Sequence, residues 1–321
     1  MHDRAAATLE RLPVSLFGAA LGVTGLGLAW REAVEALGAP AAIGEAILAL
    51  SALVFAAQAG AYALKFARAP DAVRAEFADP VAINFFPIAG MVILLLATAA
   101  LPYSRPAAHA LWLAGVIITF GLTLVIVSQW LSHRREIHHV SPAWFIPPVG
   151  NALAPVTGAA LGHVELAWML FTVGLVFWIV LLPIVLYRLM FHERLTPQLL
   201  PTMAVLFAPA AVDFNAYAGL ALTDSIDPIG RVLYYASLLL TLVAATFARE
   251  YLRLKFALSW WAFTFPLDAM AIAALRYDAL VARPSTAAIA AVLLALASAV
   301  VGVMAWRTLV RIARGTLLAA D

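Results

Sequence analysis

Two aspartates stand inside apolar runs: Asp213 in "FAPAAVDFNAYAGL" (207–220) and Asp268 in "WWAFTFPLDAMAIAAL" (260–275). A charged aspartate at mid-membrane costs about 2.5–3.5 kcal/mol on insertion scales, and such residues usually face a cavity or a partner. Three roles fit the residue type: taking up a proton, accepting hydrogen bonds freed by a broken helix, or meeting an ion in a vestibule. Asp213, beside Asn215, lies nearer the centre of its run. Both aspartates are candidate proton or ion sites. The other polar groups point to less. His133, His138 and His139 in "HRREIHHV" read as a solvated loop, Glu45 as interfacial, and Asn84, Gln129 and Asn151 as ordinary membrane polar residues. With no cysteine, disulfides, thiolate metal sites and cysteine nucleophiles are excluded. The chain carries no P-loop, no paired His/Glu metal spacing and no convincing nucleophile. The expectation is a protein that is not an enzyme and has no metal and no cofactor.

The elements that hold these residues are dictated by the solvent. Of 321 residues 64% are hydrophobic and 12% charged, against about 25% charged in soluble domains. Lipid must therefore be the main solvent. The net charge of +2 and the scattered basic residues give no nucleic-acid footprint. Apolar runs recur at 13–30, 41–64, 82–101, 108–131, 144–160, 165–187, 199–222, 230–248, 256–275 and 286–306. The pattern predicts ten transmembrane helices in one domain, 1–321, with short cytoplasmic tails at 1–12 and 307–321. "AAIAAVLLALASAVVGVMAW" (287–306) lacks the alternation of a membrane β-strand. Of the 20 Lys and Arg residues, only Arg31, Arg105, Arg231, Arg276 and Arg283 fall on the side opposite the termini. The positive-inside rule then puts both termini in the cytoplasm.

The odd runs carry an internal repeat. Each has a Pro or Gly near a phenylalanine: "SLFGAALG" (Phe17, Gly18), "NFFPIAG" (Phe86, Pro87), "AWFIPPVG" (Phe145, Pro147), "VLFAPAA" (Phe207, Pro209) and "FTFPLDA" (Phe265, Pro266). The phenylalanines recur about every 60 residues, which predicts five helical hairpins, each with a kinked first helix. A proline frees a backbone carbonyl that lipid cannot satisfy but a wet cavity can. The broken odd helices are therefore expected to line a central pore in pseudo-five-fold arrangement. The smooth even helices, whose one proline is Pro183, are expected outside.

"SPAWFIPPVGNALAP" (141–155), "WWAFTFPLDAMAIAAL", "FAPAAVDFNAYAGL" and "PVSLFGAALGVTGLGLAW" (13–30) together resemble the tellurite-resistance/dicarboxylate transporter family. That family comprises TehA-like bacterial proteins, yeast malate and sulfite transporters and plant slow anion channels. The resemblance covers essentially the whole chain. It implies a bacterial inner-membrane homotrimer that passes small inorganic or carboxylate anions through a five-helix pore in each protomer. It also implies a phenylalanine gate, which the FP pair places at Phe265, with Phe263 as second choice and Phe86 as a further constriction. Asp213 and Asp268 depart from the small or apolar residues expected there. A passive anion channel and a proton-coupled dicarboxylate, tellurite or sulfite carrier both remain open, and the physiological anion is not specified by the residues.

Overall fold

The computed structural model describes residues 10–134, 136–196, 199–221, 224–253 and 256–317. Parts of both expected tails, residues 1–9 and 318–321, lie outside these, as do Arg4, Arg135 and Lys255 of the charge asymmetry. All regular structure among the described residues is helical. Nine helical segments among them are long and apolar enough to cross a membrane. They correspond to every apolar run except the fifth. That run is a chain of short pieces, Pro142–Phe145, Ile146–Val149, Gly150–Leu153 and Ala154–Ala160, alternating 3-10 and α geometry. Pro142, Pro147, Pro148 and Pro155 account for this, because each removes a ladder donor.

Odd and even segments occupy different places. The most apolar stretches of Val14–Leu37, Ala82–Ala100, Leu200–Ala221 and Leu258–Val281 are 61–83% buried. Those of the even segments are 11–33% buried. The fifth run is buried almost throughout. The odd helices touch in chain order, first to third, third to fifth, fifth to seventh and seventh to ninth, and the ninth returns to the first. Each even helix packs against the odd helix before it and the next odd helix around this closed circuit. Lipid-compatible side chains such as Leu53, Ile117, Ile179, Val232 and Val292 remain exposed on the outside.

The circuit closes through very close helix packing. A Cβ added at Gly22 would stand 2.0 Å from Thr264 Oγ1, and one at Gly25 would stand 2.9 Å from Asp268 Cβ. Glycine at these positions lets the first and ninth helices approach, as small residues do in membrane helix pairs generally.

Each odd segment enters through a 3-10 turn and continues as an α-helix: Val14–Leu16 then Phe17–Leu37, Ala82–Phe85 then Ile88–Ala100, Leu200–Leu206 then Ala208–Ala221, Leu258–Phe263 then Thr264–Val281. The prolines expected to kink the odd helices stand at these junctions. Pro209 and Pro266 lie in the first turn of their α-helices and Pro87 just before its own. A first-turn residue has no intrahelical acceptor for its N–H, so proline is tolerated there without breaking a continuous helix. Pro183, on an even segment, is the proline inside a long helix, Val164–Phe191. The 3-10 turns touch one another in the same cyclic order as the helices.

A helix that the hydropathy pattern did not reveal, Pro70–Ala78, links the second and third segments. Its Glu76 accepts hydrogen bonds from Lys65 Nζ (2.7 Å), Tyr62 Oη (2.9 Å) and the Val14 backbone N–H (2.5 Å). Buried Lys65 also donates to the Leu12 carbonyl (2.7 Å). These bonds fasten the helix to the entrance of the first segment.

Candidate functional site

Two small cavities lie inside the circuit of odd helices, and both are lined by odd segments alone. The first, about 60 Å³, sits near the 3-10 entries, between Gly18, Leu21, Phe85, Met91, Phe145, Pro209, Trp261 and Pro266. Ser15 and Ser259 provide its polar side chains. The second, about 50 Å³, is bounded by Leu28, Leu95, Thr98, Val156, Asn215, Ala269 and Ile272. Glu32 and Arg276 complete it. Along every odd helix the second set follows the first, Leu21 giving way to Leu28 and Met91 to Leu95. The two cavities are therefore stacked along one axis. Leu153, Val212 and Phe265 line both. Phe265, the one aromatic ring of the three, is buried within this partition.

Each cavity continues towards an opening. On the entry side a wider cavity of about 250 Å³ shares Ser15, Phe85 and Ser259 with the first and adds Glu76, Asp79 and Thr202. On the other side one of about 220 Å³ shares Glu32, Val156 and Arg276 with the second and adds Glu35 and Gly219. Four cavities thus run in series through the circuit, and the partition between the middle two, Leu153, Val212 and Phe265, is apolar.

The predicted site residues divide sharply. Phe265, Gly18, Phe145, Pro209 and Pro266 line the first axial cavity. Phe86 does not. It stacks edge-on against Phe77 (4.9 Å) and Tyr62 (6.3 Å) beside a lateral cavity between the second, third and fourth segments. Its neighbour Phe85 faces the axis instead. Successive residues of a 3-10 turn point about 120° apart, and the pair "FF" conceals which of the two looks inward. Phe263 packs on Tyr251 (4.6 Å) and Trp260 (5.6 Å), off the axis. It stands at the 3-10-to-α junction, where Phe17, Phe86, Phe145 and Phe207 also lie. Phe17 turns outward to Phe55 and Tyr62. Phe207, Pro87 and Pro147 are not among the lining residues of either axial cavity.

The two aspartates stand behind the wall rather than in it. Both are fully buried, and neither carboxylate has a hydrogen-bond partner among the described residues. Asp213 Oδ1 lies 3.2 Å from a Cβ built on Gly174, so it faces the sixth segment. Asp268 Oδ2 lies 2.9 Å from the corresponding position on Gly25 of the first helix. Phe265 Cδ2 is 3.1 Å from that same point, so Asp268 and the ring share one small-residue contact. Among the described residues no group of three or more His, Cys, Asp or Glu could hold a metal.

The polar residues of the second cavity were legible only in part. In the sequence Arg276 is one of five basic residues on the far side, and nothing marks Glu32, because its partner is 244 positions away. Arg276 Nε donates to Glu32 Oε1 (3.0 Å), Nη2 donates to the same oxygen, and Nη1 donates to the Asn215 carbonyl (3.1 Å). Asn215 Nδ2 in turn donates to the Ala269 carbonyl (3.0 Å). The first, seventh and ninth helices are thereby cross-linked at one level.

A family model described as a voltage-dependent anion channel, SLAC1, matches residues 11–309. The chain belongs to this family. The SLAC1 family match spans all ten apolar runs. The S-type anion channel SLAH3 of Arabidopsis thaliana is 31% identical, over 94% of this chain and 48% of its own length. The guard cell S-type anion channel SLAC1 of the same plant is 27% identical, over 87% of this chain and 52% of its own. The tellurite resistance protein TehA homolog of Haemophilus influenzae is 26% identical, over 83% of this chain and 81% of its own. The chain spans about half the length of the plant relatives it matches. These SLAC1-family relatives are named as channels and a resistance protein, not as enzymes.

Proposed function

We propose that the chain is a passive channel for small anions, with the four axial cavities as its path and Phe265 as its gate. The observation that carries this reading is the position of Phe265 on the partition shared by the two central cavities. A ring across a narrow apolar passage stops ions sterically and by dewetting. Anion selectivity fits the same geometry. The odd α-helices begin around the first cavity, and helix N-termini carry partial positive charge. Such distributed attraction is weak enough to let an anion leave, which conduction requires.

In the membrane the fifth run crosses with the others, giving ten spans as five hairpins in pseudo-five-fold order. The cyclic contacts support this order, and burial of 142–160 keeps its irregular backbone away from lipid. The ten spans of 1–321 form one domain, the family resemblance puts it in a bacterial inner membrane, and the loop charges put both tails in the cytoplasm. The homotrimer follows from the family resemblance.

A second reading, proton-coupled carriage of dicarboxylates, tellurite or sulfite, is favoured by the two buried aspartates without partners. Purified protein in liposomes separates the two. A channel gives chloride or nitrate flux set by the anion gradient alone, increased by Phe265→Ala. A carrier gives uphill accumulation driven by a pH gradient. No flux in either arm from well-folded protein would overturn both.

A further inference from the structure

Among the described residues lining the axial cavities there is one guanidinium, Arg276, and its partner is a carboxylate of the same chain. Arg276 lines both the second cavity and the wider opening beyond it, as does Glu32. The pair is partly exposed, 20% for Arg276 and 30% for Glu32, so an ion arriving from the opening reaches it without unfolding anything. Its geometry is informative. Nε and Nη2 converge on one oxygen, Glu32 Oε1, rather than taking the two oxygens in parallel. A cleft that grips a single atom suits a halide or one oxygen of an oxyanion. The three hydrogen bonds described use three of the five guanidinium N–H groups, leaving two for a ligand. The Asn215 carbonyl holds Nη1 from the other side, so Arg276 stays in position if Glu32 swings away. Glu35 lines the same opening and adds a second negative charge outside the pair.

We infer that Arg276 is a binding site for small monovalent anions at the far-side vestibule, and that Glu32 is a tethered carboxylate that occupies it between passages. This inference rests on the anion-path reading above. An incoming chloride or nitrate displaces Glu32 Oε1 from the Nε–Nη2 cleft, and Glu32 returns when the anion moves on. The carboxylate thus weakens resting affinity, keeping the site loose enough for release, and supplies a cross-link between the first and ninth helices when the path is empty.

The test compares Glu32→Gln, Arg276→Gln and the double variant in liposomes, reading the half-saturating chloride concentration for flux. Glutamine at 32 keeps a hydrogen-bond acceptor for Arg276 but removes the competing charge. It should lower half-saturation about three- to fivefold, the scale of a partly exposed ion pair. Arg276→Gln should raise it by a similar factor, and the double variant should match Arg276→Gln alone. A salt bridge serving only to hold the helices together predicts that both single variants shift in the same direction, with loss of thermal stability. That result, or unchanged half-saturation in both, would overturn the inference. Chloride-35 line broadening in detergent gives a readout independent of transport. Broadening that Glu32→Gln strengthens and Arg276→Gln abolishes supports the site even if the wild-type chain passes no current, an outcome that would overturn the conducting reading alone. Absence of any Arg276-dependent broadening would overturn the site.

Discussion

Phe85 and Phe86 are adjacent residues of one type with opposite surroundings, and they separate lining from packing experimentally. Phe85→Ala should increase anion flux modestly, because it widens the first cavity towards the entry side. Phe86→Ala should leave flux per folded protein at the wild-type level while lowering stability by about 3–5 kcal/mol at most, as loss of a buried phenylalanine does. Its partial exposure puts the expected loss at the low end of that range or below it. Flux and thermal unfolding, measured on the same preparations, check both. The aspartates are tested in the same way. In a passive channel, Asp213→Asn and Asp268→Asn should retain the wild-type pH profile of downhill flux, since neither carboxylate lines the axial cavities. Loss of pH dependence in either would favour the coupled carrier, and Asp268, which shares the Gly25 contact with Phe265, is the residue to watch. The presence and type of these residues were plain in the sequence. Their direction was not, because a helix turns about 100° per residue and an apolar run leaves its inward face unmarked.

At the scale of elements, the contact between the first and ninth helices closes the circuit, and two glycines make it possible. Gly22→Ala should destabilise the protein by about 1–3 kcal/mol, the usual result of overpacking. Its Cβ would overlap Thr264 Oγ1, which is itself hydrogen-bonded to the Trp261 carbonyl. Gly121→Ala, on the fourth segment with nothing within 4 Å, should be neutral or slightly stabilising. The shift in thermal midpoint between these two variants measures what close approach contributes. The order of helices was legible because hydropathy marks each run and the Pro/Gly–Phe repeat marks alternate ones. The form of the breaks was less so. "FPL" and "FAPAA" announce an interruption, yet only the neighbouring turns determine that it is a 3-10 entry into an α-helix. The helix Pro70–Ala78 is not legible from hydropathy because it is short and of mixed polarity, with Asp71, Arg74 and Glu76 among its nine residues.

For the molecule as a whole, the proposed anion path is a single water-accessible axis interrupted at one level. The chain has no cysteine, so introduced thiols report without background. Leu21→Cys lies on the entry side of Phe265 and Leu28→Cys beyond it. A membrane-impermeant thiol reagent applied from the entry side should modify Cys at 21 and leave Cys at 28 unmodified until Phe265→Ala is added. Leu296→Cys, on the outward face of the tenth segment, should stay unmodified throughout because lipid covers it. The most direct measurement is ionic current through the purified protein in a planar bilayer, with Phe265 as wild type, Leu and Ala. Conductance to chloride should rise in that order as the side chain shortens, while the folded yield and anion selectivity are preserved. Equal conductance in the three well-folded proteins would contradict the account.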